Sequence, residues 1–551
     1  MSVNEAIDSL LKAEVRKSGL TIRKRYILCK RSLDTLAEMA ESWIEAGSLG
    51  KQCPGNATVL AEEMLTGPVT VARLLRLASK SLEQVAMNGS PKPPGACKET
   101  QNGQCIVPIF PTPYLWDRFT FMWLSAAAIM QPGVSASKIH GHWVQSVTDA
   151  KVNKVVAVLG AGNVSAVPVT DSLHRILFQS QQVILKMNPV NDYLRPIFEK
   201  AFSPFIEEGM LRIISGGTDI GTELIQHPNV AEVHITGSTQ SHDRIVWGKD
   251  THEQETNKAA NLPVLTKPVT SELGNVTPWI VVPGSYTLRQ LDSQAQHIAA
   301  SITNNAGFNC LSTRVVVTSS QWPQRTEFLS LIEKHLAATP LRPAYYPGAA
   351  DRYRKFTGQN PPSDPTNRLP WAFIKNQDST KQLNLFEEET FVGVCAETNL
   401  EAYSPDTFLK GAVDFCNQRL AGTLCASLTI PNDFQRTKRD LIEQEIQRLR
   451  YATVCVNQWS GLAYSLLTPP WGGYPGATLQ EIESGIGSVH NTFLLDRHEK
   501  SVLRGPLVTF PKPVWFPTNR NALAIARHLF ALYQRPSLAR FLKLLGSAVT
   551  A

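Results

Sequence analysis

The stretch Val155-Val-Ala-Val-Leu-Gly-Ala-Gly-Asn163 decides the fold. Five apolar residues in a row suit a strand buried on both faces, and the glycines that follow suit a turn. Similar short apolar runs recur at Val183-Ile-Leu-Lys186, Leu211-Arg-Ile-Ile214 and Val233-His-Ile-Thr236. Helix-length segments separate them, at 169–179, 191–207 and 219–227. Strands alternating with helices at this spacing predict βαβ units and a parallel sheet. Such sheets bind ligands at the carboxyl ends of their strands. Gly160, Lys186, Gly216 and Gly237 fall at those ends.

Downstream, a second α/β unit begins near Pro283. Its helix, 288–303, runs into the polar turn that contains Gly307 and presents Cys310 just before the strand Arg314-Val-Val-Val-Thr318. A helix is expected at 325–337 and a Pro/Gly/Tyr-rich loop at 340–371, with strand and helix alternating again through Val456. Upstream, helical patterning is expected over 4–46 and again from 61 through 78, a surface loop over 89–113, and an apolar helix at 121–130. Ser488–Asp496 reads as an edge strand. A basic apolar helix runs from Asn521 to Leu545, broken at Pro536. It is expected to dock on the protein's own body or a partner subunit ahead of lying on a membrane surface. The expected domains are N-terminal helices with a dinucleotide-binding unit (1–285), a catalytic unit (286–456), a return and oligomerisation segment (457–505) and a helical tail (506–551).

The composition bounds the function. The 551 residues exceed one ordinary core. A formal charge of +7 is small for this length and is no nucleic-acid signature. No apolar run is long enough for a membrane span, and the acidic start is unlike a signal peptide, so a cytoplasmic protein is expected. Nine scattered cysteines without a CxxC form no disulfide framework, although Cys97 and Cys105 flank one loop. His140 with His142, and His252 with Glu253, lack the further ligands of a metal site, so none is expected.

A thiol at the tip of a turn can be reached by a substrate, so Cys310 is a candidate nucleophile. Glu272, 38 residues before it at a turn that precedes Trp279-Ile-Val-Val282, is a candidate general base. The side-chain amide of Asn163 is a candidate oxyanion donor. Lys186 offers a cation for a nucleotide's hydroxyl or phosphate oxygens. Gly237-Ser238, between a strand and a helix, suits a pyrophosphate.

These residues lie in motifs that resemble those of the aldehyde dehydrogenase superfamily. Glu272-Leu-Gly-Asn-Val-Thr-Pro278 resembles its Glu-Leu-Gly-Gly-x-x-Pro, and Asn305-Ala-Gly-Phe-Asn-Cys310 its Asn-x-Gly-Gln-x-Cys. Thr236-Gly-Ser238, Glu388-Glu-Thr-Phe391 and Pro470-Trp-Gly-Gly473 resemble three further motifs, all in family order. The resemblance implies an aldehyde-dehydrogenase-like α/β fold, with a Rossmann-type cofactor domain and a second α/β catalytic domain. It implies NAD(P)-dependent oxidation of an aldehyde to a carboxylic acid. Cys310 would attack the carbonyl, Asn163 and the Cys310 backbone N–H would hold the oxyanion, and water activated by Glu272 would hydrolyse the thioester. Lys186, Gly237, Ser238, Leu273, Glu389 and Phe391 would bind NAD or NADP. A homodimer or homotetramer would follow.

The departures are specific. Ala161-Gly-Asn163 replaces the family's Pro-Trp-Asn and is closer to the acyl-CoA reductase branch. Phe308 replaces the usual Gln. Pro189 stands where many NAD-specific members carry Glu, which leaves NADP allowed. Residues 240–270 form a longer segment than the family norm. Two alternatives therefore stand beside aldehyde oxidation: reduction of an acyl thioester to an aldehyde, and a non-catalytic aldehyde-dehydrogenase-like subunit.

Overall fold

The computed structural model describes residues 1–100 and 103–551. The Val155–Leu159 strand is the centre of a five-stranded, wholly parallel sheet. Across that sheet the order is Leu211–Ile214, Gln182–Lys186, Val155–Leu159, Val230–Thr236 and Val269–Glu272. The expected strands are present, and Val269–Glu272 is added at one edge. Every residue of Gln182–Lys186 is buried, as helices on both faces of a parallel sheet require.

The second sheet has ten strands among the described residues. Its centre is parallel: Thr453–Val456, Cys425–Thr429, Pro278–Val281, Val315–Ser319 and Val394–Leu400 are successive neighbours. The helix before the cysteine turn spans Leu288–Thr303, and Thr287 opens it with a reciprocal capping box with Gln290. Strand Val315–Ser319 and helix Arg325–Ala338 follow as expected.

Three local expectations are corrected. Residues 121–130 are not an apolar helix: Ser125–Met130 is a strand, antiparallel to both Cys105–Phe110 and His498–Arg504. Alanine favours helix intrinsically, but its small side chain also fits between two strands, and sheet pairing overrides the propensity. The same pairing puts strand Cys105–Phe110 inside the expected surface loop 89–113; residues 101–102 of that loop lie outside the described residues. Cys97 and Cys105 carry free thiols. The expected edge strand 488–496 is strand only at Ser488–Val489, paired with Trp471–Gly472. Residues 489–495 are buried, and Asn491 bonds both the N–H and the carbonyl of Leu495, so the segment is an interior loop.

The N-terminal helices Ile22–Gly50, Ala57–Met64 and Thr70–Asn88 pack on the first sheet and share its apolar core. The last two are joined by a π-helical turn, Leu65–Val69, containing Pro68, which lacks the N–H that a regular turn would use. At this turn Gly67 lies against Trp43 and Ser165, where a Cβ would come within 2.9 Å of the Trp43 Nε1. Buried Arg25 reaches from the first long helix to the C-terminus of helix Val167–Gln179, donating to the Leu177 carbonyl at 2.6 Å and to Ser180 Oγ at 2.5 Å. A cation at that end suits the helix dipole.

The tail breaks at Pro536 into helices Ala522–Gln534 and Leu538–Val549. The first packs on the Ala57–Met64 helix and on the π-turn. Arg73 fastens it from below: its guanidinium makes a bidentate pair with Asp117 (2.6 and 2.9 Å), donates to the Tyr533 hydroxyl (2.9 Å) and bonds the Leu466 carbonyl (2.8 Å). The tail thus docks on the protein's own body. Among the described residues no helix is long and apolar enough to cross a membrane.

Candidate active site

The turn before Cys310 is held in an uncommon backbone conformation. Asn305, Ala306 and Gly307 follow one another with φ of 52°, 56° and 83°. Left-handed φ at two successive non-glycine residues is a strain that the surroundings must overcome. They do so with a buried polar network. Asn305 Nδ2 donates to the carbonyls of Asn163 and Phe308, both at 2.8 Å. Its Oδ1 accepts from Lys51 Nζ at 2.6 Å and from the Tyr345 hydroxyl at 3.0 Å. Lys51 in turn pairs with buried Glu63. At Gly307 a Cβ would come within 2.4 Å of the Gly393 backbone nitrogen, so the position requires glycine.

Arg314, fully buried, clamps the other side of the turn. It donates to the carbonyls of Val392 (2.6 Å), Gly307 (2.9 Å) and Asn309 (3.0 Å). Thr277 Oγ1 donates to the Cys310 carbonyl at 3.2 Å, and Trp459 Nε1 to the Leu311 carbonyl at 2.7 Å. Neither clamp shows in a sequence motif, because both act on backbone carbonyls, which any residue supplies.

Cys310 is half-buried and, with Glu272, lines a cavity of about 390 Å³. Burial pushes the Cys310 thiol well up, and the nearby carboxyls of Glu272 and Glu389 push it the same way. Burial also pushes Glu272 up, to about 8, with Asp171 adding to the effect and the indole N–H of Trp471 pulling it partly back. A carboxyl with that affinity is a far better proton acceptor than an ordinary glutamate. Glu272 Oε2 is buried without a hydrogen-bond partner among the described residues.

Asn163 is joined to the same turn, its Nδ2 donating to the Phe308 carbonyl at 3.1 Å. The cavity wall beside it is formed by Val164 and Val167. Phe308 is fully buried in an aromatic cluster with Tyr345, Tyr346 and Phe391, its ring stacked on Tyr346 at 5.6 Å between centroids.

The remaining candidates occupy two neighbouring places. Lys186 ends its strand buried, and burial lowers its pKa against the opposing pull of Asp192 and Asp219. At Gly237 an added Cβ would meet open space. Ser238 caps helix Thr239–Val246, accepting from the Ser241 N–H at 3.1 Å. Leu273 is buried, its N–H given to the Ser484 carbonyl at 3.0 Å. Glu389 is half-buried, pushed up to about 7 by burial against the pull of Arg314 and Arg352. Its buried Oε1 has no hydrogen-bond partner among the described residues, and a Cβ at Gly274 would come within 2.3 Å of its other oxygen. Phe391 adopts a φ of 45° and carries the Arg352 guanidinium over its ring at 5.7 Å. The sequence reading missed Arg314, Arg352 and Asn305 as site-builders. The long segment 240–270 folds as helices Thr239–Val246 and Thr251–Ala260.

The far wall of the cavity is built by the π-turn and the tail. Leu65, Val69, Trp515, Phe516, Leu529 and Tyr533 line it, with the buried Arg342–Glu62 pair (2.8 Å) at its side.

Residues 135–346, which hold Asn163, Glu272 and Cys310, match the family model described as "Aldehyde dehydrogenase family". A curated relative, "Aldehyde dehydrogenase LUC3" of Fusarium sp, is 25% identical over 178 residues, covering 31% of this chain; the match spans only about a third, 34%, of that relative's length. Solved structures share the fold along nearly the whole chain. The aldehyde dehydrogenase KauB from Pseudomonas aeruginosa superposes with a TM-score of 0.59 at 17% identity, covering 91% of this chain and 89% of its own. An indole-3-acetaldehyde dehydrogenase solved with NAD+ gives a TM-score of 0.58 at 16% identity, covering 92% and 89%. The family model thus covers 212 of the 551 residues, and the solved structures show the aldehyde dehydrogenase fold along nearly the whole chain.

Proposed function

We propose that the protein oxidises an apolar aldehyde to the carboxylic acid with NAD or NADP. The observation that carries this reading is the meeting of Cys310 and a Glu272 carboxyl of raised proton affinity in one cavity. Burial keeps the Cys310 thiol protonated at rest, so attack on a carbonyl needs a base, and Glu272 is the carboxyl at hand. The Asn163 amide gives one hydrogen to the Phe308 carbonyl, which leaves the other for the oxyanion beside the Cys310 backbone N–H.

The cofactor cleft suits a dinucleotide. The buried, unpartnered Oε1 of Glu389 offers an acceptor for a ribose hydroxyl, and Gly274 leaves room beside it. Gly237 opens a helix N-terminus to a pyrophosphate, and Lys186 stands at a strand end where an adenosine ribose would lie. Leu273 and Phe391 supply apolar contact. When bound, the nicotinamide supplies the hydride acceptor. Cys310 would then be left as a thioester, and Glu272, once it has passed the thiol proton on to solvent, would take a proton from the water that hydrolyses it.

The apolar far wall favours a hydrophobic aldehyde over a small polar one. Cofactor reduction across a panel of aliphatic and aryl aldehydes, with NAD and NADP compared, tests the reading. Turnover with hydrophobic aldehydes supports it. Aldehyde formation from an acyl-CoA and NADPH, without hydrolysis, would replace it by thioester reduction. Absence of both would leave a binding subunit.

A further inference from the structure

A second buried carboxyl, Asp171 of helix Val167–Gln179, lies close to Glu272. In the parallel pair Val230–Thr236 and Val269–Glu272, Thr236 is the cross-strand partner of Glu272, and His234 that of Thr270. Neighbouring strands lie about 4.8 Å apart and residues two apart share a face, so these four side chains form one polar square. Helix Val167–Gln179 covers that face and lays Asp171 on it. Thr236 Oγ1 donates to Asp171 Oδ2 at 2.8 Å, and His234 Nε2 lies 3.5 Å from the same oxygen. His234 is itself fixed, its Nδ1 lying 2.8 Å from Thr270 Oγ1. Asp171 is 1% exposed and Glu272 5%, and Asp171 Oδ1 and Glu272 Oε2 both lack a hydrogen-bond partner among the described residues. A buried carboxyl with an unsatisfied oxygen is costly, and the reaction outlined above has no use for Asp171.

We propose that Asp171, fixed by Thr236 and His234, is a positioning residue that sets the protonation of Glu272. This deepens the reading of Glu272 as the general base and rests on it. The other groups facing the pair leave Asp171 as the principal negative neighbour. Cys310, Cys425 and Tyr464 face Glu272, and burial keeps all three neutral near pH 7. His490 faces Asp171, and burial lowers it to about 4, so it too is neutral. His174, behind that face, is lowered by burial. Arg175 pulls on Asp171 from the same helix, but its guanidinium is engaged by Thr270 and Glu232. Asp171 therefore makes Glu272 hold its proton more tightly than burial alone does.

The test is an infrared pH titration of the protonated-carboxyl band in the full-length protein, assigned to Glu272 by its loss in Glu272→Gln. In Asp171→Asn the midpoint is expected to fall by about one pH unit, because the negative neighbour is gone while burial remains. Thr236→Val keeps the charge but removes its anchor, and should move the midpoint the same way by less. This second variant carries the test if Asp171→Asn fails to fold. The rising limb of the pH–rate profile should shift with the band. An unchanged midpoint in the folded variants would overturn the proposal, whatever the activity. A shifted band with no aldehyde oxidation at any pH would leave the hold of Asp171 on Glu272 standing and overturn the base assignment instead.

Discussion

The two walls of the cavity are built on different physics. The near wall, with Cys310 and Glu272, stands on buried hydrogen bonds: the left-handed Asn305–Gly307 turn, the Arg314 clamp and the Lys51–Glu63 pair. The far wall, with the π-turn and the tail, stands mainly on apolar packing, with the buried polar knot Arg73–Asp117–Tyr533 behind it. Hydrogen bonds of fixed direction place reacting atoms, whereas apolar contacts are non-directional and suit a surface that selects by size and hydrophobicity. Changes in the near wall should therefore cost rate with every aldehyde. Changes in the far wall should cost it selectively.

The largest effect is expected at the nucleophile. Cys310→Ala should lower turnover by about 10³-fold or more for every substrate while cofactor binding, followed by fluorescence titration, persists. Retained turnover would break the comparison at its near side. Glu272→Gln should lower steady-state turnover by about 10²-fold or more. In the native protein the rate should rise with pH as Glu272 loses its proton through about 8, and this limb should vanish in the variant. The stability sign is the reverse. A carboxyl raised in the folded state stabilises most below its unfolded value of 4.5, and that contribution is lost as pH rises through about 8. Thermal unfolding should thus find Glu272→Gln gaining on the native protein as the pH goes from 5 to about 9.

Smaller effects belong to the far wall. Leu529→Ala should lower kcat/KM by about tenfold for long apolar aldehydes and hardly at all for acetaldehyde. An equal loss for both would erase the distinction between the walls. Tyr533→Phe removes one hydrogen bond from Arg73 and should cost about 1 kcal/mol in denaturant unfolding, with turnover of small aldehydes unchanged.

How much of this was legible in the sequence follows from the same division. The strands around Val155 were, because a parallel sheet buried on both faces writes continuous apolar runs. Cys310, Glu272 and Asn163 were, because they sit at element ends with glycine nearby, and the motifs around them keep family order. The strand Ser125–Met130 was not, since three alanines carry no period and pairing with Cys105–Phe110 and the distant His498–Arg504 decides their state. Arg314 and Asn305 were not recognised as site-builders, because Arg314 binds carbonyls that any residue could supply, and Asn305 adds side chains distant in sequence, Lys51 and Tyr345. That the tail docks was expected, but that it lines the cavity holding Cys310 was not, because its apolar face reads the same whether it covers a core or a cavity.

The account stands or falls on a covalent acyl group at Cys310 that Glu272 releases. The direct measurement is intact and peptide mass spectrometry of Glu272→Gln, acid-quenched after mixing with a hydrophobic aldehyde and NAD or NADP. The account predicts a stoichiometric acyl adduct on the Cys310 peptide, persisting in the variant and fleeting in the native protein. An adduct on another residue, or none in either protein while the aldehyde is consumed, would contradict it.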